Sequence, residues 1–141
     1  MNYFYIEPEV AGGLGKNTEL YCGVHPPIVS RLHYHFDGWL GDQLLETFPC
    51  FIVTEFMEQK LRETGFTGMR FDQVEITVSE QFQELYPDQQ LPKFVWLRVE
   101  GTAGEDDFGT APDGRLIASE RALDYLRQLG ISHALVSEFQ V

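Results

Sequence analysis

Residues 51–71, FIVTEFMEQKLRETGFTGMRF, and residues 116–136, LIASERALDYLRQLGISHALV, read as one phrase written twice, 65 positions apart. Ile52/Ile117, Glu55/Glu120, Leu61/Leu126, Arg62/Arg127 and Gly65/Gly130 are identical, and Thr54/Ser119, Phe66/Ile131 and Thr67/Ser132 are close substitutions. Each copy starts with a short apolar run suited to a strand. The run stops at a hydroxyl residue that can cap a helix, and Glu follows at the first helical position, where the helix dipole favours an anion. Gly then falls just past the last turn, where a left-handed residue ends a helix. The phrase therefore predicts strand–helix–strand, twice. It holds no nucleophile, base or ligand cluster, so it speaks to architecture before chemistry.

Working outward, Val74, Ile76 and Val78 alternate as a strand, and Ser79-Glu80 opens a third, shorter helix that Pro87 stops. Phe94–Val99 is rich in β-formers. Tyr3–Ile6 reads as an aromatic first strand and 10–18 as a polar loop. In 28–37, alternation predicts Ile28, Leu32, Tyr34 and Phe36 toward the core. Val29, Arg31, His33, His35 and Asp37 then face the other way. Residues 42–47 are expected as a short helix capped by Asp42 and ended before Pro49. Residues 102–114 read as a Gly-rich acidic loop or loose hairpin with Pro112-Asp113-Gly114 as the firmest turn. In the second copy, Ala122, Leu123, Leu126 and Leu129 form a stripe to be buried. The expected fold is α+β, with a mixed or mainly antiparallel sheet and short helices packed on it.

The chain of 141 residues fits one domain, 1–141, and no linker or low-complexity tract divides it. Ten basic against 22 acidic residues give a net charge of −12, which argues against nucleic acid or an anionic membrane as partner. The same field is compatible with a basic protein partner. The two cysteines, Cys22 and Cys50, do not suggest a disulfide scaffold, and Cys50 sits in the apolar run Phe48–Val53 as a buried thiol. The start, MNYFYIEPEV, has neither a basic region nor an apolar h-region, so a cytoplasmic protein is expected.

Candidate chemistry is sparse. Gly12-Gly13-Leu14-Gly15-Lys16-Asn17-Thr18 lacks the Gly five residues before its Gly-Lys pair and the hydroxyl after the Lys, so it is a loop and no phosphate site. His33, His35 and Asp37 share one strand face and offer zinc-ligand chemistry, with Cys22 or His25 as further donors. Arg31 in the same row would repel a cation, and a polar outer face with a role in partner contact explains the row equally well. Glu105, Asp106, Asp107 and Asp113 lack the spacing of a calcium loop; they read as a solvated loop suited to a basic partner. Ser30, Ser79, Cys22 and Cys50 lie in no nucleophile elbow.

Phe36-Asp37-Gly38-Trp39-Leu40-Gly41-Asp42, Phe51-Ile52-Val53-Thr54-Glu55, Ile117-Ala118-Ser119-Glu120 and the following Leu126…Gly130-Ile131 resemble bacterial polymorphic-toxin immunity proteins. The similarity is to the immunity family eleven type, formerly a domain of unknown function, and spans residues 28–140. It implies a small cytoplasmic α+β protein without catalytic activity or cofactor, made beside a secreted effector and neutralising that toxin by binding it. The family supplies no catalytic residues. From the residues themselves, the contact candidates are Glu105, Asp106, Asp107 and Asp113, with Arg31, His33 and His35 on the strand face. Two other readings stay open: a small metal-dependent enzyme using His33, His35 and Asp37, and a module that self-associates through a sheet edge.

Overall fold

The computed structural model describes residues 2–140. Along the chain run β1 (Tyr3–Glu7), β2 (Gly12–Leu14), β3 (Glu19–Tyr21), β4 (Ile28–Arg31), β5 (His33–Phe36), β6 (Leu44–Thr47), β7 (Cys50–Thr54) and α1 (Glu55–Arg62). They are followed by β8 (Met69–Asp72), β9 (Glu75–Val78), α2 (Glu80–Leu85), β10 (Phe94–Val99), β11 (Phe108–Thr110), β12 (Leu116–Ser119), α3 (Glu120–Leu129) and β13 (Leu135–Phe139). The fold is α+β, as expected: every strand pair is antiparallel except β5 with β9.

The repeated phrase folds twice into the same unit. Both helices begin where the hydroxyl caps predict: Thr54 accepts the Met57 amide at 3.2 Å, and Ser119 accepts the Ala122 amide at 3.3 Å. In one sheet, ordered β6-β7-β10-β8, the central β10 places Leu97 opposite both Phe51 and Phe71. In the other, ordered β11-β12-β1-β13, the central β1 places Ile6 opposite both Leu116 and Val136. These flanking pairs are the repeat partners 51/116 and 71/136, so the duplication extends to register. Even the helix entries match. The Glu55 amide donates to the Lys93 carbonyl at 2.8 Å, and the Glu120 amide to the Asn2 carbonyl at 3.0 Å, on the corresponding central segments.

The two units share one core. Met57 and Leu61 of α1 join Ala122, Leu123 and Leu126 of α3, together with Ile6, Phe51, Val53, Leu97 and Leu116 from the two sheets. The opposite face of the β7 sheet packs Leu45, Cys50, Ile52, Phe94 and Trp96 against Tyr34 and Phe36 of a smaller sheet, β2-β5-β9, with Phe82 of α2. Strand β7 is consequently buried at all five positions, which is why it reads as an unbroken apolar run rather than an alternation.

Three expectations are corrected. Residues 42–47 are not a helix, because Leu44 and Leu45 are both fully buried, in different cores on opposite faces of the sheet. Only an extended chain sends neighbours to opposite faces. The run 28–37 is not one strand. Glu19 pairs with Arg31 but Leu20 with Val29, leaving Ser30 as a bulge that shifts the phase. Val29 is therefore buried and Ile28 exposed, the reverse of simple alternation. Finally, the expected loop 10–18 contains a short strand, β2, that covers an edge of its sheet, whereas 102–114 takes the hairpin alternative, with β11 pairing antiparallel to β12.

Candidate functional site

The strand face carrying His33 and His35 is roofed by the loop after β2. His33 is buried, and its Nδ1 accepts the Asn17 amide at 3.2 Å. Its hydrogen therefore sits on Nε2, which donates to Thr77 Oγ1 at 2.7 Å; the same oxygen lies 2.6 Å from His35 Nδ1. Gly15 permits this roof, since a Cβ there would lie 2.2 Å from the His33 ring. Arg31 ends β4, one residue before β5, and faces Glu19 and Glu75 at 3.9 and 3.8 Å. Asp37 is exposed beyond the end of β5, with its amide bonded to the Ala11 carbonyl. His33, His35 and Asp37 do not converge as ligands, and Cys22 and His25 lie exposed in the β3–β4 segment.

The acidic loop separates into different roles. Asp107 is buried rather than solvated. Arg121 donates to it twice, at 2.8 and 2.7 Å, the Ser119 hydroxyl at 2.7 Å and the Thr67 amide at 3.1 Å. The Arg121 pairing outweighs burial and holds its carboxyl at about 2. Asp107 is thus a structural residue, unsuited to direct contact with a partner. Asp106 turns inward to accept the Thr102 amide, Glu105 is exposed, and Asp113 pairs with Arg115 at 2.9 Å.

A surface groove runs beside Asp113. The β3–β4 hairpin supplies Pro26, Pro27 and Ile28, the β6–β7 turn supplies Pro49, and the floor includes Trp96 with Arg98. Arg98 lies 4.2 Å over the Trp96 ring and is paired with Asp72 at 3.0 Å. Tyr21, Val24, Ile28 and Phe48 expose large apolar side chains, with Ile28 at 58% and Phe48 at 43%. Gly114, at φ +93°, lets the acidic loop close on this patch, since a Cβ there would stand 2.8 Å from Phe48. Cys50 at the base is no nucleophile: burial pushes its thiol up to about 12. The sequence reading missed the groove because its apolar residues come from separate turns. The one local signal was exposed-type aromatics beside prolines, Tyr21 before Pro26-Pro27 and Phe48 before Pro49.

Across the described surface as a whole, unpaired acids outnumber unpaired bases, since Lys16, Lys60 and Arg127 are the cations that enter none of the described ion pairs. Arg31, Arg62, Arg70, Lys93, Arg98, Arg115 and Arg121 are all taken up in ion pairs. Exposed Glu63, Glu80, Glu84, Asp88, Glu105 and Glu120 enter none of the described pairs. The net charge of −12 is thereby displayed rather than cancelled.

A second cluster was invisible in the sequence. Glu9, Asp42 and His133 converge at the junction between the two units, although 33 and 91 positions separate Asp42 from the other two. Glu9 accepts the Leu40 and Asp42 amides at 2.7 and 3.3 Å, and Asp42 accepts the His133 amide at 2.7 Å and its Nδ1 at 2.9 Å.

Comparison with protein-family models, curated proteins and solved structures gave no match. No helix among the described residues is long and apolar enough to cross a membrane.

Proposed function

We propose that this chain is an immunity protein, which binds a cognate secreted bacterial toxin and neutralises it in the cytoplasm of the producing cell, without catalysis of its own. The observation that carries the reading is the groove: Ile28 lines it, exposed Phe48 stands beside its Gly114 wall, and Glu100 lies in its lining, on a chain of net charge −12. An apolar centre with a charged rim suits a tight protein interface, and the acidic field would steer a basic partner. The resemblance of the helix-entry phrases to an immunity family points the same way. Of the contact candidates, Glu105, Asp113, Arg31 and half-buried His35 are reachable from solvent, whereas Asp107 and His33 act from beneath the surface.

The test begins with the adjacent gene. A secreted effector encoded there should be lethal when expressed alone and harmless with this chain. Ile28→Asp with Phe48→Asp should then weaken the complex by about 30-fold or more, as loss of a hot spot does. Glu105→Lys with Asp113→Lys should slow association about tenfold at low salt and flatten its salt dependence. Protection that survives both double substitutions unchanged would overturn the groove as the binding face, and a harmless neighbouring product would overturn the immunity reading.

A further inference from the structure

We propose that Glu9, Asp42 and His133 form a binding site for one divalent first-row transition cation, zinc or manganese. One ligand atom from each side chain lies within 4.8 Å of the others, close to the span that three ligands to one ion occupy. The ligands are built in rather than draped on the surface. Glu9 follows β1, and its carbonyl accepts the Glu46 amide at 2.9 Å, fixing it beside β6. Asp42 precedes β6, and the Trp39 indole donates to its carbonyl at 2.9 Å. His133 comes from the loop between α3 and β13. Each carboxylate oxygen accepts one N–H, which sets its orientation and leaves lone-pair capacity for a cation.

Charge makes the case beyond geometry. Glu9 and Asp42 are more than nine-tenths buried, and neither pairs with Lys or Arg among the described residues. Two carboxylates brought this close out of water need positive charge beside them. No Lys or Arg among the described residues supplies it, whereas a divalent ion would close the balance. The coordinating ring nitrogen must be proton-free, so ligation by Nδ1 would move its hydrogen to Nε2 and exchange the Asp42 hydrogen bond for the ion. The imidazole donor favours zinc over magnesium or calcium, which take oxygen ligands, and the two carboxylates are what would admit manganese. His133 keeps 44% of its side chain exposed, which gives the ion entry and room for water ligands.

The test uses the full chain freed of metal by chelation and titrated with zinc or manganese chloride in a calorimeter at neutral pH. One ion per chain should bind. The melting temperature should rise by about 9 °C at a hundredfold excess over Kd, because the ligands join three distant segments of the native state. Magnesium and calcium should leave it unchanged. Glu9→Gln and Asp42→Asn should abolish binding. His133→Gln, which keeps the backbone bond to Asp42, should weaken binding at least tenfold; it decides the matter if the two buried variants fail to fold. His35→Gln, at the other histidine pair, should change nothing. Absence of stoichiometric binding by either ion, or unchanged binding in His133→Gln, would leave the cluster a hydrogen-bonded junction and overturn the site. The readout is independent of any toxin, so its outcome does not bear on the immunity reading.

Discussion

The two junctions between the repeat units solve one packing problem with different charges. Each unit sends the loop after its helix across to the strand hairpin of the other. Thr67, after α1, meets Asp107 ahead of β11; His133, after α3, meets Asp42 ahead of β6. The caps reach back in the same way: Thr54 donates to the Gln43 side chain and Ser119 to Asp107. At the second unit the acceptor is a carboxylate, and Arg121 closes its charge from the first turn of α3. The equivalent residue of α1 is Phe56, which points into solvent, and the acceptor there is the neutral Gln43. The charge at that junction sits one residue earlier, on Asp42 beside Glu9, with only His133 facing it. A duplicated backbone therefore carries one self-contained ion pair and one open anionic cluster. Shared architecture fixes where polar groups meet, and local substitution decides whether they finish as scaffold or as a site.

The strongest test of equivalence lies in the shared core. Leu61 and Leu126 are identical in the repeat and both fully buried in the same cluster. Leu61→Ala and Leu126→Ala should each cost about 2–5 kcal/mol in urea unfolding, the range for a buried leucine cavity. Values differing by more than about 2 kcal/mol would show that the units do not bear the core equally. The next effect should separate them. Asp107→Ala removes the acceptor for Arg121, Ser119 and Thr67 together and should cost about 2–4 kcal/mol, since buried donors are left unpaired. Gln43→Ala, its half-buried neutral counterpart, should cost about 1 kcal/mol. The Asp107 contribution also has a pH signature. Its carboxyl is held at about 2 against an ordinary 3.8, so the stability is present above 3.8 and lost as pH falls through about 2. Asp107→Asn should flatten that acid limb.

Local chemistry explains what was legible in the chain. The three helix entries were readable because a cap bonds an amide three residues on, at Thr54, Ser79 and Ser119. The central strands were readable as strands but not as counterparts: 3–7 and 94–99 share no pattern, and only pairing with the repeat units equates them. The false helix at 42–47 arose because Asp42 looks like a cap and Leu44-Leu45 fits either period. Its carboxylate is instead committed to a residue 91 positions away. The same distance hid the Glu9–Asp42–His133 cluster, and the bulge at Ser30 reversed the expected burial of Ile28 and Val29. Asp107 looked like loop charge because nothing near it in sequence announces Arg121 and Thr67 as partners.

The smallest expected difference between the units lies on their edge strands, where Glu46 of β6 faces Phe51 and Thr110 of β11 faces the equivalent Leu116. Burial, with Glu7 repelling from β1, raises the Glu46 carboxyl from 4.5 to about 7. A raised acid is bound more tightly to its proton in the folded state than in the unfolded one. Its contribution is therefore fully present below 4.5 and is lost as pH rises through about 7. Glu46→Gln keeps the shape and removes the titration. It should match the parent near pH 4.5 and exceed it by about 1 kcal/mol at pH 8, a modest gain because the group is only partly shielded from water. Thr110→Ser, the neutral counterpart, should show no pH dependence beyond that of the parent. Melting curves across this range would decide the point: parallel profiles for the parent and Glu46→Gln would mean that Glu46 is solvated and that the two edges are electrostatically alike.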